Sequence, residues 1–336
     1  MEHLFKRKVY ICQNTSENVR FDSTSGGVFT ALATYVIARN GYVFGAEFDE
    51  NWNVVHGYGR TEEDLTRFRG SKYVQSHLGD TFRQVRDLLN ADEWVLFSGT
   101  PCQIEGLFAF LGKSYEKLIL MDIVCFSISS PGVWRMFLDH LKKEKRIDLS
   151  AVKKIRFRDK TKYGYEYTLM TLYDKKGEVL YASGPESNPM LRSFVSNTST
   201  RPSCYACSVK KVNRVSDFTV WDCYNVYKYR KDLDDNRGTS HLMVHSEKAQ
   251  CILKELEKSL RLVNVDLQTA IDSEPAMIQC AHPSDLRKDF FAQMEAGKDA
   301  FDDYFRDTVR VKVERFLRVM LSKTKLYGTI KRIIKG

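Results

Sequence analysis

The chain has 336 residues, 43% of them hydrophobic, enough for one large domain or two ordinary ones around a sizeable core. Its formal net charge of +9 does not describe a basic body: from Arg306 to Gly336 ten Lys/Arg stand against two acids, which puts +8 on that stretch and +1 on the other 305 residues, a distribution that argues against a nucleic-acid enzyme. No apolar run of 18 residues occurs, and the opening MEHLFKRKVY lacks the apolar stretch and cleavage site of a secretory signal, so a cytoplasmic protein is expected. Its eight cysteines (12, 102, 125, 204, 207, 223, 251 and 280) then read as thiols, metal ligands or catalytic groups rather than a disulfide framework.

In chain order, Ser25 to Asn40 places apolar residues at 28, 29, 32, 35 and 36, the spacing of a helix. GYVFGAEF and NVVHGY read as strands, Thr61 and Asp64 as a weak cap for a short helix, and Leu78 to Asp92 as another helix. Strand 94–97, helix 101–112, strand 118–125 and helix 131–146 follow. This β-α-β-α order predicts an α/β fold with a mostly parallel sheet covered by helices. Beyond 151 the strands IRFRDK, YEYTLMTLYD and GEVLYAS look like a meander, which predicts a mixed α+β part. A loop-rich, cysteine-bearing segment spans 186–245, a helix runs from Ser246 to Leu260, and the pattern is poor to about 290. The expected division is 1–150, 151–305 and a basic amphipathic tail 306–336.

Function in an open parallel sheet gathers beyond the carboxyl ends of the strands. In FSGTPCQIEGL, Cys102 follows the strand Trp94 to Phe97 and opens a helix, where the dipole favours thiolate. Cys125 ends the next strand in the same way, and Cys204-Tyr205-Ala206-Cys207 is a C-x-x-C in a polar loop. Each thiol alone has an alternative as a buried core residue. Together they make a set of four suited to zinc or to an iron-sulfur cluster, and spacing does not choose between them.

The stretches STSGGVFTAL (23–32), FRGSKYVQS (68–76), VLFSGTPCQIEGL (95–107), LMDIVCFSISSPGVW (120–134), KIRFRDK (154–160), RPSCYACSVK (201–210), RVSDFTVWD (214–222) and GTSHLMVHSEK (238–248) resemble the successive motifs of the coenzyme F420 hydrogenase/dehydrogenase beta-subunit family. GTPCQ and RPSC-x-x-C are the distinctive ones. The resemblance extends to bacterial members associated with surface-polysaccharide synthesis. It implies a FAD-binding oxidoreductase with a 4Fe-4S cluster, in which Cys102, Cys125, Cys204 and Cys207 match the cluster ligands. Ser25-Gly26-Gly27, Ser71, Lys72 and Thr100 would then be the flavin-binding residues, and Lys72 and Tyr73 the catalytic candidates. Two glycines opening a helix suit phosphate approach, although helix capping alone also accounts for them.

Two departures stand out. Phe126 and Ser127 replace the usual His-Gly, and Trp221-Asp222-Cys223-Tyr224 replaces Gly-Asp-Phe-Trp. An N-terminal ferredoxin-type segment of longer members is missing, so electrons are expected from a separate ferredoxin-like partner. Other constellations say less. Arg156, Arg158, Asp159 and Lys160 read equally well as an anion site or a strand face, and His241 and His245 sit on a predicted strand, spaced poorly for one metal. No P-loop, G-x-S-x-G or G-x-G-x-x-G occurs.

The sequence thus predicts a flavin and iron-sulfur oxidoreductase that passes electrons from a ferredoxin-like donor to a small organic substrate, a sugar or glycan precursor by association. The alternatives are an electron-transfer subunit without a substrate of its own and a zinc-stapled scaffold. Cys12, Cys251 and Cys280 are expected to be dispensable for iron. In the tail, Val313, Phe316, Leu317, Met320 and Leu321 share one helical face among Arg310, Arg315, Arg318 and Lys325. That face either docks on the body or gives a peripheral contact with an anionic membrane surface.

Overall fold

The computed structural model describes residues 7–324 and 327–330. Its strands in chain order are β1 (Lys8–Asn14), β2 (Tyr42–Phe48), β3 (Val54–Gly59), β4 (Val95–Gly99), β5 (Leu118–Ile123), β6 (Lys154–Asp159), β7 (Leu169–Tyr173), β8 (Val179–Ser183), β9 (Phe218–Asp222), β10 (Ser240–Val244) and β11 (Leu260–Val265). The chain forms two compact units that interleave along the sequence, whereas periodicity alone suggests contiguous parts. The first holds the residues up to Arg69, Ser76–Phe126 and Cys207–Cys280; the second holds Gly70–Gln75, Ser127–Ala206 and the residues from Ala281 on.

The first unit is an α/β layer structure on one eight-stranded sheet, ordered β11-β1-β10-β9-β5-β4-β2-β3. Its centre is parallel: β2 pairs with β4, β4 with β5, and β5 with β9. The flanking strands are antiparallel, with β3 at one edge and β10, β1 and β11 toward the other. Strand β4 explains its own place. Val95, Leu96 and Phe97 are all fully buried, the unbroken apolar run of a strand covered on both faces.

Helices Val28–Ile37 and Glu247–Glu255 cover one face, where Leu32, Val36, Ile252 and Leu253 meet Leu96, Ile119 and Met121. Helices Thr81–Asn90 and Pro101–Leu111 cover the other, packing Val85, Leu89, Ile104 and Leu107 on Phe44, Val95, Phe97 and Leu120. The sequence signal is weakest for β1, β9 and β11, and these strands extend the sheet away from its β-α-β core.

The second unit carries the expected meander β6-β7-β8, antiparallel with register shifts in both pairings. Helix Pro131–Glu144 supplies Trp134 and Phe137, whose rings meet Phe157 of β6 and Phe301. Its His140 Nδ1 sits 2.7 Å from Asp299 Oδ2.

Candidate functional site

The GTPCQ turn is built by its own side chains. Thr100 is the N-cap and Pro101 the first helical residue, a position where a missing N–H costs nothing. The Thr100 N–H donates to Gln103 Oε1 at 3.0 Å, and Gln103 Nε2 donates to Ser76 Oγ at 2.8 Å. Ser76 Oγ also lies 2.8 Å from His56 Nδ1, while His56 Nε2 lies 3.0 Å from the Ser98 carbonyl oxygen. A carbonyl only accepts, so Nε2 carries the proton and Nδ1 accepts from the Ser76 hydroxyl. The chain of bonds ends at Cys102, an exposed thiol whose Sγ is 3.2 Å from Thr100 Oγ1. Thr100, one of the residues expected at the flavin, thus stands beside the Cys102 thiol. His56 was invisible in the sequence because its partners lie 20 and 42 residues away.

A second knot forms around Lys210. Its ammonium has three protons to donate and meets three carbonyl oxygens: that of Cys125, that of Phe126 at 3.2 Å and that of Ala276 at 2.6 Å. Next to it, Lys211 pairs with Glu105 of the Cys102 helix at 2.6 Å. Cys280 Sγ approaches the Cys207 carbonyl oxygen at 3.7 Å. Two adjacent lysines thus tie together, within the first unit, the segments bearing Cys102, Cys125, Cys207 and Cys280. Cys204 belongs to the second unit, whose boundary falls inside the C-x-x-C. Cys280, expected to be dispensable for iron, is brought beside Cys207 by the fold.

The remaining cysteines separate cleanly. Cys12 and Cys223 are fully buried, and burial pushes both thiols well above the usual range, which keeps them protonated. Cys251 is exposed on helix Glu247–Glu255.

Ser25-Gly26-Gly27 does enter a helix, and its geometry divides the two glycines. A Cβ on Gly26 would lie 2.4 Å from the Cys12 carbonyl oxygen and 2.7 Å from Ser240 N. Its own N–H donates to Ser240 Oγ at 2.9 Å, so Gly26 is required by backbone packing against β1 and β10. Gly27 has φ +83° and caps helix Val28–Ile37 without a side chain, so the first-turn N–H groups have no side-chain cap. Those are the donors an anion would use.

Ser71-Lys72-Tyr73 lies in the second unit. Lys72 Nζ donates to the Gly70 carbonyl at 3.2 Å, and the Tyr73 ring stacks on Phe194 at 4.7 Å and meets Phe157 edge-on. Lys160 and Asp159 are buried rather than spread on an exposed strand face. His241 lies in β10, as expected, stacked on Trp221 at 4.8 Å, and His245 Nε2 is 2.8 Å from Thr219 Oγ1. Burial lowers both imidazoles, to about 4 and about 3, so both are neutral at pH 7. Of the departing motif residues, Trp221 and Cys223 are core, whereas Phe126 and Tyr224 are exposed.

Just before Cys125, Asp122 of β5 pairs with Arg214 at 3.2 Å, both side chains nearly inaccessible. Burial raises the Asp122 carboxyl to about 6, against the pull of Arg214 and the Thr219 and Ser216 hydroxyls. This pair anchors the loop that leads from Cys207 into β9.

Among the described residues neither unit gathers three or more His, Cys, Asp or Glu closely enough for a single metal ion. The thiols of Cys102, Cys125 and Cys207, on segments clamped by Lys210 and Lys211, are soft donors of the kind that zinc and iron-sulfur clusters both accept.

A parallel-centred sheet whose strand ends carry ordered thiols is an α/β protein of the kind that holds a reactive group beyond the carboxyl ends of its strands. The family defined by the C-terminal part of the coenzyme F420 hydrogenase/dehydrogenase beta subunit matches residues 92–269, more than half of the chain, and the chain belongs to it. That makes it an electron-transfer oxidoreductase in general class, as the motifs predicted. No curated protein matches the sequence. Among solved structures, a chain of the F420-reducing NiFe hydrogenase complex from Methanosarcina barkeri is similar in fold, with a TM-score of 0.55 and 15% identity over 81% of this chain and 88% of that one. Among the described residues no helix is long and apolar enough to cross a membrane.

Proposed function

We propose that the chain is a FAD- and 4Fe-4S-dependent oxidoreductase that takes electrons from a ferredoxin-like partner and delivers them to a small organic substrate, a sugar or glycan precursor of surface-polysaccharide synthesis. The observation that carries this reading is the binding of the Cys102, Cys125 and Cys207 segments by Lys210 and Lys211, in a chain of the hydrogenase/dehydrogenase beta-subunit family. Cys102, Cys125, Cys204 and Cys207 would hold the cluster. Ser25, Gly26, Gly27, Ser71, Lys72 and Thr100 would surround the flavin.

When bound, a cluster and a flavin together supply one-electron uptake and two-electron delivery. The chain's own contributions follow from its contacts. Lys210 donates to the backbone carbonyls of Cys125 and Phe126, where its positive charge would offset that of thiolates holding a cluster. The first turn of helix Val28–Ile37 offers N–H groups to a phosphate. Phe126 cannot give up a proton, so the proton for a reduced substrate would come from Lys72, Tyr73 or water. Similarity to a chain of a hydrogenase complex favours, as second reading, an electron-transfer subunit with no substrate of its own.

Anaerobic reconstitution with iron, sulfide and FAD tests the proposal. The expected product is brown-yellow, contains about four iron and four sulfide, and is bleached in its flavin band by chemically reduced ferredoxin. A colourless protein that takes up zinc and no flavin overturns it in favour of the scaffold reading. Lys72→Ala is the variant for the flavin site, with weakened FAD binding expected. Replacing Gly26 would test folding instead, because any side chain there strikes the Cys12 carbonyl.

A further inference from the structure

Helix Val309–Lys323 presents its apolar face outward. Val309, Val313, Phe316, Leu317 and Met320 are 78%, 52%, 63%, 53% and 46% exposed. At 3.6 residues per turn they fall within about 100° of arc, one continuous stripe. The opposite side of the helix faces the protein. Val311 is buried there, and Arg318 binds Glu314 at 2.7 Å, the Tyr327 hydroxyl at 3.0 Å and, at 4.0 Å, the inaccessible carboxylate of Glu186. An amphipathic helix that docks on its own body does the reverse. This one is fastened by its polar side and keeps its apolar side free, so of the two sequence readings of the tail, docking of the stripe is not what the fold displays.

The charge around the stripe identifies what would cover it. Lys312 and Lys323 border one side and Arg310 the other, all exposed. The two acids of the segment are engaged, Glu314 with Arg318 and Asp307 with Arg315 at 4.0 Å. By sequence the stretch from Arg306 carries +8, including Lys325, Lys331, Arg332 and Lys335, which lie outside the described residues. A second copy of the chain would bring two such segments together in mutual repulsion. A flat apolar-accepting surface with negative charge is complementary on both counts.

We propose that helix Val309–Lys323 is a membrane-surface anchor that lies in the interface of a bilayer containing anionic lipid, with Val309, Val313, Phe316, Leu317 and Met320 inserted and the basic rim on the headgroups. The inference stands apart from the redox reading and needs no cofactor.

Flotation of the full chain with phosphatidylcholine vesicles, with and without one-third phosphatidylglycerol, tests it. The expected result is recovery with the anionic vesicles alone, weakened by salt. Phe316→Asp combined with Leu317→Asp should lower the partition coefficient at least about tenfold, and Arg310→Glu with Lys312→Glu about fivefold or more per residue. Both pairs are exposed, so far-ultraviolet circular dichroism should match the wild type and exclude misfolding. Failure of the wild type to float at low salt overturns the proposal. So does flotation untouched by the aspartate pair, or a concentration-dependent dimer that this pair abolishes while anionic vesicles bind nothing.

Discussion

Two groups of thiols in the first unit share residue type and differ in everything else. Cys12 and Cys223 sit within the sheet and its packing, fully buried, with their thiols held protonated by desolvation. Cys102, Cys125, Cys207 and Cys280 sit at strand ends, helix starts and loops, accessible and bound to one another's segments through Lys210 and Lys211. The difference teaches that a strand end is not enough to make a thiol a ligand candidate. Cys125 follows β5 and Cys223 follows β9, yet Val226 and Leu233 pack over Cys223 while Cys125 stays partly accessible.

The sharpest way to break this comparison is to change the members one at a time. Cys102→Ser, Cys125→Ser and Cys207→Ser should each remove most of the iron and the broad visible absorbance, since a hard hydroxyl replaces a soft thiolate. Cys280→Ser should lower iron retention under chelator challenge more than Cys251→Ser does, because only Cys280 adjoins Cys207. Cys12→Ala and Cys223→Ala should keep full iron and instead cost about 1 to 2 kcal/mol of stability in urea unfolding. Iron loss in the buried pair and none in the accessible set would reverse the assignment.

The loop that brings Cys207 to the rim depends on Arg214 and Asp122. Arg214→Met leaves a buried carboxylate without its partner and should cost about 3 to 5 kcal/mol. Asp122→Asn combined with Arg214→Met should recover much of that loss in the same unfolding assay. A double variant no better than the single one would mean the pair contributes nothing jointly.

Acid provides the smallest test, on the buried strand side. His241 and His245 have folded pKa values lowered to about 4 and about 3, below the ordinary 6.5. Their stability contribution is therefore complete above pH 6.5 and is lost as pH falls toward 4 for His241 and toward 3 for His245, by roughly 3 and roughly 5 kcal/mol at most. Asp122 acts with the opposite sign: its folded pKa is raised to about 6 from 3.8, so stability from it grows as pH falls through that window. The two imidazoles outweigh the single carboxyl, and urea midpoints should fall between pH 7 and pH 4. His245→Asn should flatten the profile, and an unchanged slope would show that His245 titrates normally in the fold.

The contrast between two helices shows where sequence reading reaches its limit. Thr81–Asn90 and Val309–Lys323 are both amphipathic by pattern. The first buries Val85 and Leu89 under the sheet, and the second leaves Phe316 and Leu317 in solvent. Periodicity reports that a face is apolar, and which surface meets that face is set by contacts distant in the chain.

By itself the sequence determined the β-α-β core, the meander, the placement of Cys102 and Cys125 at strand ends and the family, because each is written in local period, in turn chemistry or in short motifs. Only the tertiary structure decided the rest. The apolar strand β1 pairs with β10 and β11 more than 220 residues away, and the unit boundaries cut through motifs that look continuous in the sequence. Gly26 proved to be a packing glycine, His56 the end of a hydrogen-bond chain to the Cys102 turn, and Cys280 a neighbour of Cys207. The physical reason is common to all of these. Close approach, ion pairing and desolvation depend on distance in space, and residues remote along the chain acquire that distance only when the sheet closes over them.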